Sequence, residues 1–358
     1  MSRGGRGWNM SSRRKPAIEY DIRVERGLFE QESAGWPAYG MVTTPSAYEV
    51  VKGRLVREPE EVVFAEWLDS GHQQALSDRM PRGIELVVGV GGGKALDASK
   101  FVALDRDAAL ILAPTILSSG AIIHGNVAKW DGYRTVGGGD DWPWVDCEYV
   151  LVDVEAVLKA PDYLHTAGLG DILCGWAGVE EWRWRSALGQ GPTVDEERVA
   201  RVKVWHEEIG RTFAETLDGA GAMTEASAAH VMARIQERDH MLSQDALSLG
   251  AAGASGDHPF WIGLEVANQR TWIHGELVAL GAMLITWCCQ GDTTGLAERL
   301  DRCRVRWRPG QMGLAREALK KGLAFVPEYM EEQGFNSVLK NEPVTGGRFD
   351  AAWKFMEG

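Results

Sequence analysis

Long apolar stretches are what this sequence most clearly lacks. In its 358 residues the longest uncharged apolar run is Leu277–Cys289, which is shorter than the ~20 residues that span a membrane. We expect this run to form a buried helix instead. The basic N-terminal segment, MSRGGRGWNMSSRRKP, is followed by no apolar segment and so does not predict a secretory signal. The sequence therefore predicts a cytoplasmic protein without a membrane span.

Cysteine and basic charge are also scarce. The five cysteines are odd in number and include no CxxC pair, which excludes a disulfide framework and a zinc-finger spacing. Such cysteines are typical of small buried residues in a reducing compartment. The 38 basic side chains are outnumbered by 51 acidic ones, and the net charge is −13. This balance argues against a nucleic-acid surface, so the expected partner is a small molecule.

The first half of the chain has the pattern of a parallel α/β sheet. Short apolar runs alternate with helical patterns, and strands are predicted over 38–44, 61–67, 85–90, 108–115 and 148–153. The run at 85–90 hardly alternates, as in a parallel strand that is buried on both faces. Strands separated by helices predict βαβ units. An Asp-Gly pair within residues 125–145 predicts a hairpin.

From about residue 155 onward the strand patterns disappear. Helical patterns cover 166–188, 193–218, 222–236, 274–289, 312–324 and 346–356. A chain of this length allows two or three domains. We expect an N-terminal arm with a first strand over 1–34, a parallel-sheet α/β domain over 35–160 and an all-α domain over 161–358.

Three glycines follow the predicted strand at 85–90 and precede a helical pattern. Gly91, Gly92 and Gly93 let a ligand approach the backbone, through φ values that other residues resist. The free N–H groups of a helix that begins near Lys94 would face the same point and suit a pyrophosphate. The motif is neither GxGxxG nor a P-loop, and alone it also suits a plain tight turn. Its place after a buried strand favours a nucleotide site.

The neighbouring strand ends supply polar groups but no ribose-binding acid. Thr115 and Ser118 follow the next strand and could hydrogen-bond a nucleotide at the carboxyl edge of the sheet. The strand at 38–44 ends in Thr43 and Thr44, without the Asp or Glu that binds a ribose hydroxyl. The choice between NAD and NADP therefore stays open.

Two of the eight histidines stand out, together with one aspartate. His258 and His274 are sixteen residues apart, and His274 opens the most apolar helical pattern of the chain. Asp171 lies near the start of another helical pattern, so a divalent metal could use all three side chains. The alternative is that Asp171 caps a helix and that the histidines are structural donors. The histidines expected at the surface or with satisfied hydrogen bonds are His72, His165, His206, His230 and His240.

Five motifs occur in an order that resembles one superfamily. They are GVGGGK…D…K, APT…S, AGLGD, SGDH and HGELVALG, within residues 35–330. In this combination the chain resembles the iron-containing alcohol dehydrogenase and dehydroquinate synthase superfamily, and AGLGDILCGWAGVEEWRW and ASGDH resemble its glycerol-1-phosphate dehydrogenases. The resemblance implies a Rossmann-like domain over 35–160, a helical metal-binding domain over 161–358 and an active site in the cleft between them.

The resemblance also implies a set of ligands. Asp171, His258 and His274 would hold one divalent metal, with zinc expected and nickel or iron as alternatives. The metal would act as a Lewis acid while hydride moves to or from the nicotinamide of NAD or NADP. Asp rather than Glu at position 171 favours the dehydrogenases over the cyclising synthases. The cofactor-binding residues implied are Gly91, Gly92, Gly93, Lys94, Ala95, Asp97, Thr115 and Ser118.

Two substrate-facing polar groups of the family are absent. The substrate positions are Ser119, Gly120 and Ile262; Gly120 replaces an Asp, and Ile262 replaces a second His four residues after the first His ligand. His124, with an ordinary pKa near neutrality, replaces a small polar residue near the nicotinamide. Three readings follow: a different substrate in a more apolar pocket, a proton relay moved to His124, or lost catalysis with binding retained. The alternative for His124 is a loop histidine without a role.

These observations predict a metal-dependent, NAD(P)-linked oxidoreductase. Its substrate would be a small polyol, alcohol or carbonyl compound, phosphorylated or not. One alternative is a redox-neutral cyclase or lyase of the dehydroquinate synthase type, in which bound NAD oxidises and re-reduces the same molecule. Another is a catalytically altered relative that binds the cofactor without turnover. A homo-oligomer stays open.

Overall fold

Six parallel strands form a central sheet in the first half of the chain. The computed structural model describes residues 19–127, 130–131, 134–135, 144–243 and 255–357. The strands of the sheet are β1 (Ile22–Glu25), β2 (Tyr39–Thr43), β3 (Glu61–Phe64), β4 (Leu86–Gly91), β5 (Ala109–Pro114) and β8 (Tyr149–Asp153). A separate antiparallel hairpin consists of β6 (Trp130–Asp131) and β7 (Arg134–Thr135). The order across the sheet is β1-β8-β5-β4-β2-β3, and every neighbouring pair is parallel.

Both faces of the sheet are buried, because successive side chains of each strand point to opposite faces. The helices beside the sheet are α1 (Leu28–Ser33), α2 (Pro45–Val51), α3 (Ser70–Arg79) and α4 (Gly93–Arg106). Met41 and Val88 belong to the core that α1 and α2 complete. Their chain neighbours Val42 and Val87 belong to the core that α3 and α4 complete, and this second core continues into the helical half of the chain.

The strand order creates a crevice between β2 and β4. These two strands are neighbours, but the chain leaves β2 for β3 on one side and leaves β4 for β5 on the other. The connections after β2 and β4 therefore diverge at the carboxyl edge of the sheet. Open α/β sheets bind ligands at such a switch point. The glycine loop that follows β4 lies at this position.

The rest of the chain is helical. The helices are α5 (Val154–Val157), α6 (Tyr163–Leu173), α7 (Gly175–Ala187), α8 (Glu196–Ala214), α9 (Glu225–Ser243), α10 (Asp257–Asn268), α11 (His274–Cys288), α12 (Thr293–Arg302), α13 (Arg316–Glu332), α14 (Val338–Asn341) and α15 (Gly346–Glu357). The apolar helix α11 is buried along almost its whole length, as expected for Leu277–Cys289. Among the described residues, no helix combines the length and apolar character that crossing a bilayer requires.

The predicted fold class, a Rossmann-like parallel sheet followed by helices, is confirmed. Four of the five predicted strands lie within their expected ranges, β4 ends one residue beyond its range at Gly91, and β6 and β7 confirm the hairpin. The predicted helix over 166–188 is wrong in one respect, because the chain divides it at Cys174 into α6 and α7. The helical patterns predicted from the sequence omit bounds for α10, the helix that carries His258 and Ile262. Pro259 lies in the first turn of this helix, where its missing N–H costs nothing.

Candidate metal and nucleotide site

Asp171, His258 and His274 converge at one point. They lie on three different helices, α6, α10 and α11. Oδ1 of Asp171 is 3.3 Å from Nε2 of His258 and 3.2 Å from Nε2 of His274. The carboxylate is buried, whereas the two imidazoles are 37% and 23% exposed. Two imidazole nitrogens and one carboxylate oxygen with an accessible side fit a divalent metal that keeps a position for substrate.

Glycines explain how Asp171 and His274 come so close. A Cβ atom on Gly170 would lie 2.6 Å from the carbonyl oxygen of Gly275, and one on Gly275 would collide with the backbone of Ala167. Helices α6 and α11 therefore pack backbone against backbone. This contact accounts for Gly170 of AGLGD and Gly275 of HGELVALG, which the sequence left without a structural reason.

The charges at this point favour an ionised carboxylate. Burial opposes ionisation of Asp171, but Arg238, His274 and His258 outweigh it and hold the pKa of Asp171 well below its usual range. Burial also opposes the charged form of His258, but the neighbouring carboxylates of Asp257 and Asp171 raise the pKa of His258 to about 9. The carboxylate that a metal requires is thus present at neutral pH, and His258 must release a proton to bind one.

The sequence analysis did not predict two residues of this site, Asp257 and Arg238. Asp257 directly precedes His258, and its Oδ1 is 2.5 Å from Nδ1 of that ring. Arg238, in α9, places Nη1 3.8 Å from Oδ2 of Asp171. The acid beside a predicted ligand could have signalled Asp257, whereas Arg238 is distant in sequence and becomes relevant only through packing.

The glycine loop closes tightly against the segment after β5. Only Gly91 has a positive φ, of 143°, so the expectation that all three glycines need unusual φ values is wrong for Gly92 and Gly93. Neighbouring side chains leave little space for a Cβ atom at these two positions instead. A Cβ on Gly92 would lie 2.7 Å from Ile116, and one on Gly93 would lie 3.3 Å from Ser119. Helix α4 starts at Gly93, one residue before the expected start, and its N–H groups face the switch point.

The remaining predicted cofactor residues surround this loop. Ala95 is fully buried beneath Gly91, and Nζ of Lys94 lies 5.7 Å from the ring centre of the half-exposed Trp67. The N–H of Thr115 donates to the carbonyl of Gly91 at 2.9 Å. The predicted residue Ser118 also follows β5 and is buried.

Asp97 connects the loop with the metal cluster. Nζ of the fully buried Lys100 lies 2.8 Å from Oδ1 of Asp97 and 2.7 Å from the carbonyl oxygen of Ala121. Burial raises the pKa of Asp97 against the influence of Lys100, and the charge of His274 also acts on it. The helix that begins at the glycine loop therefore contacts the segment after β5, and Gly120 of the same segment contacts Asp171.

Two of the three predicted substrate positions, Ser119 and Gly120, lie in the segment after β5, and the third, Ile262, lies in α10. Ser119 is adjacent to Gly93, and the N–H of Gly120 donates to Oδ2 of Asp171 at 3.3 Å. Ile262 lies four residues after His258 in α10, and residues at this spacing share one face of a helix. The segment after β5 thus runs from the glycine loop to a predicted metal ligand.

His124 lies within reach of the same charges, but its expected near-neutral pKa is wrong. Burial lowers the pKa of His124 well below its ordinary value, and the cations Lys100 and Arg238 lower it further, against the opposing charge of Asp171. Nδ1 of this ring is buried and has no hydrogen-bond partner among the described residues. His124 is therefore an uncharged ring at neutral pH.

Three of the other histidines differ from expectation, because His165, His206 and His230 each have a buried ring nitrogen without a hydrogen-bond partner among the described residues. His72 accepts the N–H of Glu66 at 3.2 Å, and Nδ1 of the buried His165 accepts that of Leu117 at 3.3 Å. His206 is neither exposed nor satisfied: it is buried in the core, and both ring nitrogens lack a partner among the described residues. The side chain of His240 lies outside the described residues.

Comparison with known proteins agrees with this geometry. Residues 42–161 match the family model described as iron-containing alcohol dehydrogenase. The chain is 29% identical to the glycerol dehydrogenase of Thermotoga maritima over 222 residues, which are 59% of this chain and 57% of that protein. It is 23% identical to the glycerol-1-phosphate dehydrogenase (NAD(P)+) of Sulfolobus acidocaldarius over 304 residues, which are 82% of each chain. The chain is thus similar to iron-containing alcohol dehydrogenases over residues 42–161.

A solved structure extends this relationship to the whole fold. The probable glycerol dehydrogenase of Sinorhizobium meliloti superposes with a TM-score of 0.64 at 20% identity, over 95% of this chain and 98% of that chain. The chain therefore shares the fold of that structure along nearly its whole length. The sequence similarity to the Thermotoga enzyme spans little more than half of that protein.

Proposed function

We propose that this chain is a metal-dependent, NAD(P)-linked oxidoreductase that acts on a small polyol, alcohol or carbonyl compound. The observation that carries the proposal is that the Asp171–His258–His274 cluster and the glycine loop both adjoin the segment after β5, through Gly120 and Ser119 respectively. A metal site and a nucleotide site in one cleft suit hydride transfer. The relatives named glycerol dehydrogenase and glycerol-1-phosphate dehydrogenase (NAD(P)+) support the same class.

The metal would be held by one oxygen of Asp171 and by Nε2 of His258 and His274. This donor set suits zinc, with nickel and iron as alternatives. When bound, the metal would polarise the substrate oxygen, and the nicotinamide would exchange a hydride with the adjacent carbon. Asp171 would neutralise part of the charge of the ion, while the accessible side of the imidazoles leaves room for substrate.

The nucleotide would lie at the switch point between β2 and β4. N–H groups at the start of α4 would bind its pyrophosphate, and Thr115 and Ser118 would add hydrogen bonds. Thr43 and Thr44 at the end of β2 place no carboxylate against a 2′-phosphate. We therefore propose that NAD and NADP both bind. Residues 35–160 would form the nucleotide-binding domain and 161–358 the metal-binding domain, after the arm and first strand in 1–34.

Arg238 supports a substrate that carries a negative charge, such as a phosphorylated polyol. Its guanidinium lies beside the carboxylate that faces the metal position, at 3.8 Å. Ile262 would supply an apolar side chain on the substrate side of the cleft, and Gly120 a position without a side chain. A cation next to a metal site weakens metal binding unless carboxylate or substrate charge offsets it, so an anionic substrate would complete the balance.

The decisive experiment follows absorbance at 340 nm with the metal-loaded full chain. NAD(H) and NADP(H) are tested with pairs of neutral and phosphorylated polyols and aldehydes. We expect a net change in absorbance, larger for the phosphorylated member of each pair. Product without a net change would indicate the redox-neutral cyclase, and nucleotide binding without turnover would indicate the catalytically altered relative.

A pair of arginine variants tests the substrate charge separately. Arg238→Gln should raise KM for the phosphorylated substrate ~10–100-fold, because a hydrogen bond to a charged group is lost. Arg234→Gln is the matched control, since Arg234 lies one turn earlier in α9 and pairs with Glu208 and Glu237. An equal effect of both variants would contradict the role of Arg238.

A further inference from the structure

We propose that Asp257 is a positioning residue that fixes the ring and tautomer of His258 for metal binding. The inference rests on the proposed metal site. His258 directs Nε2 toward Asp171, at 3.3 Å, and Nδ1 toward Oδ1 of Asp257, at 2.5 Å. A neutral imidazole carries its proton on one nitrogen only. With that proton held at Nδ1 by the Asp257 carboxylate, the lone pair of Nε2 faces the metal position.

Asp257 is rigidly supported. Asp257 is 1% exposed and lies in the first turn of α10. A Cβ atom on Gly281 of α11 would lie 3.2 Å from Cα of Asp257, so the start of α10 rests directly on the helix that carries His274. The carboxylate therefore ties the orientation of one histidine ligand to the helix that supplies the other.

Helix capping does not explain this buried acid. Oδ1 of the Asp257 carboxylate lies at hydrogen-bond distance from Nδ1 of His258, the Cys174 thiol is a further neighbour of this carboxylate, and Oδ2 has no hydrogen-bond partner among the described residues. The residue before it, Gly256, has no side chain to cap the helix. Burying a half-satisfied carboxylate costs stability, which favours a role for Asp257 beyond packing.

A second arrangement of the same atoms needs to be separated from this one. Ligand atoms of Cys174, Asp257 and His258 also lie within 4.8 Å of one another. A metal there would have to use Nδ1 of His258, which the Asp257 carboxylate already engages, and the Sγ of Cys174, which contacts the carbonyl oxygen of Asp171 at 2.9 Å. We therefore place the metal on the Nε2 side of the ring.

The test measures metal affinity and the imidazole itself. Metal-free full chain is titrated with Zn²⁺ in competition with a chromophoric chelator. Asp257→Asn keeps an acceptor and should weaken zinc binding ~10-fold, whereas Asp257→Ala removes it and should weaken binding toward ~100-fold. In the zinc-loaded protein, the Nδ1 proton of His258 should give a far-downfield NMR signal that moves upfield in Asp257→Asn.

The matched control is Glu276→Gln. Glu276 is a buried carboxylate two residues after His274, but it pairs with Arg306 at 2.5 Å instead of contacting an imidazole. Its variant should lose less than threefold in zinc affinity. Equal losses in Asp257→Asn and Glu276→Gln, or an unchanged Nδ1 proton signal, would overturn the role of Asp257.

The outcomes also separate this inference from the proposed function. Wild-type protein that binds no zinc, or that keeps it in His274→Ala, contradicts the metal site itself. Tight zinc binding in the wild type with unchanged affinity in both Asp257 variants contradicts only the positioning role. Two zinc ions per chain, one of them lost in Cys174→Ser, would support the second arrangement and overturn the proposal.

Discussion

At the scale of single residues, the Asp171 carboxylate organises the site. Its Oδ1 lies within 3.3 Å of both imidazoles, and its Oδ2 accepts the N–H of Gly120. Arg238 lies 3.8 Å from the same Oδ2. One side chain thus connects three helices with the segment that follows β5. Its ionised state follows from the cationic groups around it rather than from exposure to solvent.

His124 is the residue to which we assign the proposed proton relay. We expect His124→Ala to lower turnover ~10²-fold or more, because a positioned proton donor or acceptor contributes that much. Metal content and nucleotide affinity should change little. Steady-state kinetics and elemental analysis measure both, with His72→Ala at the exposed start of α3 as the control. Full turnover in His124→Ala would show that the proton takes another route.

Glu265 of α10 should give the metal-free protein a distinct pH dependence. Burial raises the pKa of Glu265 from 4.5 to about 7, although Oε1 accepts the N–H of Trp272 at 2.8 Å. Between these values the folded protein keeps a proton that the unfolded chain has lost. Stability therefore falls as the pH rises through this window, and the cost stays constant above it.

The variant Glu265→Gln removes this cost. Its free energy of unfolding should exceed that of the wild type by on the order of 2 kcal/mol at pH 8, whereas the two should agree at pH 4. Urea unfolding at several pH values measures the difference. A gap that does not change with pH would contradict the buried, proton-binding state of Glu265.

At the scale of elements, the crossing of α6 and α11 decides whether the metal ligands meet. Gly275→Ala would place a methyl group against the backbone of Ala167 and force the two helices apart. We expect a loss of more than tenfold in zinc affinity, together with a lower melting temperature. Gly347→Ala is the control, because a Cβ there meets nothing within 4 Å. Wild-type zinc affinity in Gly275→Ala would contradict the account of this crossing.

The turn from β4 to α4 is the element on which we expect nucleotide affinity to depend. Gly92→Val would place a branched side chain against Ile116 and on the loop where the pyrophosphate should lie. Affinity for NAD and NADP should fall at least tenfold, which is about 1.4 kcal/mol. Calorimetric titration decides, with Gly53→Val as the control in open space. Unchanged affinity in a folded variant would place the nucleotide elsewhere.

The elements differ in how far the sequence predicts them. Parallel strands buried on both faces, such as β4, appear as short uninterrupted apolar runs and were found within two residues of their bounds. Asp171, His258 and His274 were singled out because they lie in motifs that resemble a family, and the structure brings their side chains together. Asp257 and Arg238 act through contacts between helices that are far apart in the chain, and no spacing within one segment reveals such contacts.

At the scale of the whole molecule, the site depends on both halves of the chain. The carboxyl edge of the sheet supplies the glycine loop at the switch point, and the helical half supplies the metal cluster. Helix α4 links them, because it begins at the loop and carries Asp97 and Lys100 toward His274 and Ala121. A metal bound by three helices would also stabilise their packing, since it binds only the folded arrangement.

The position of the metal tests the central claim most directly. Crystals of the zinc-loaded protein give it through an anomalous difference map collected at the zinc edge. We predict one peak per chain at about 2.0–2.2 Å from a carboxylate oxygen of Asp171 and from Nε2 of His258 and His274. A peak between Cys174, Asp257 and Nδ1 of His258, or no peak at all within the cleft, would contradict the account.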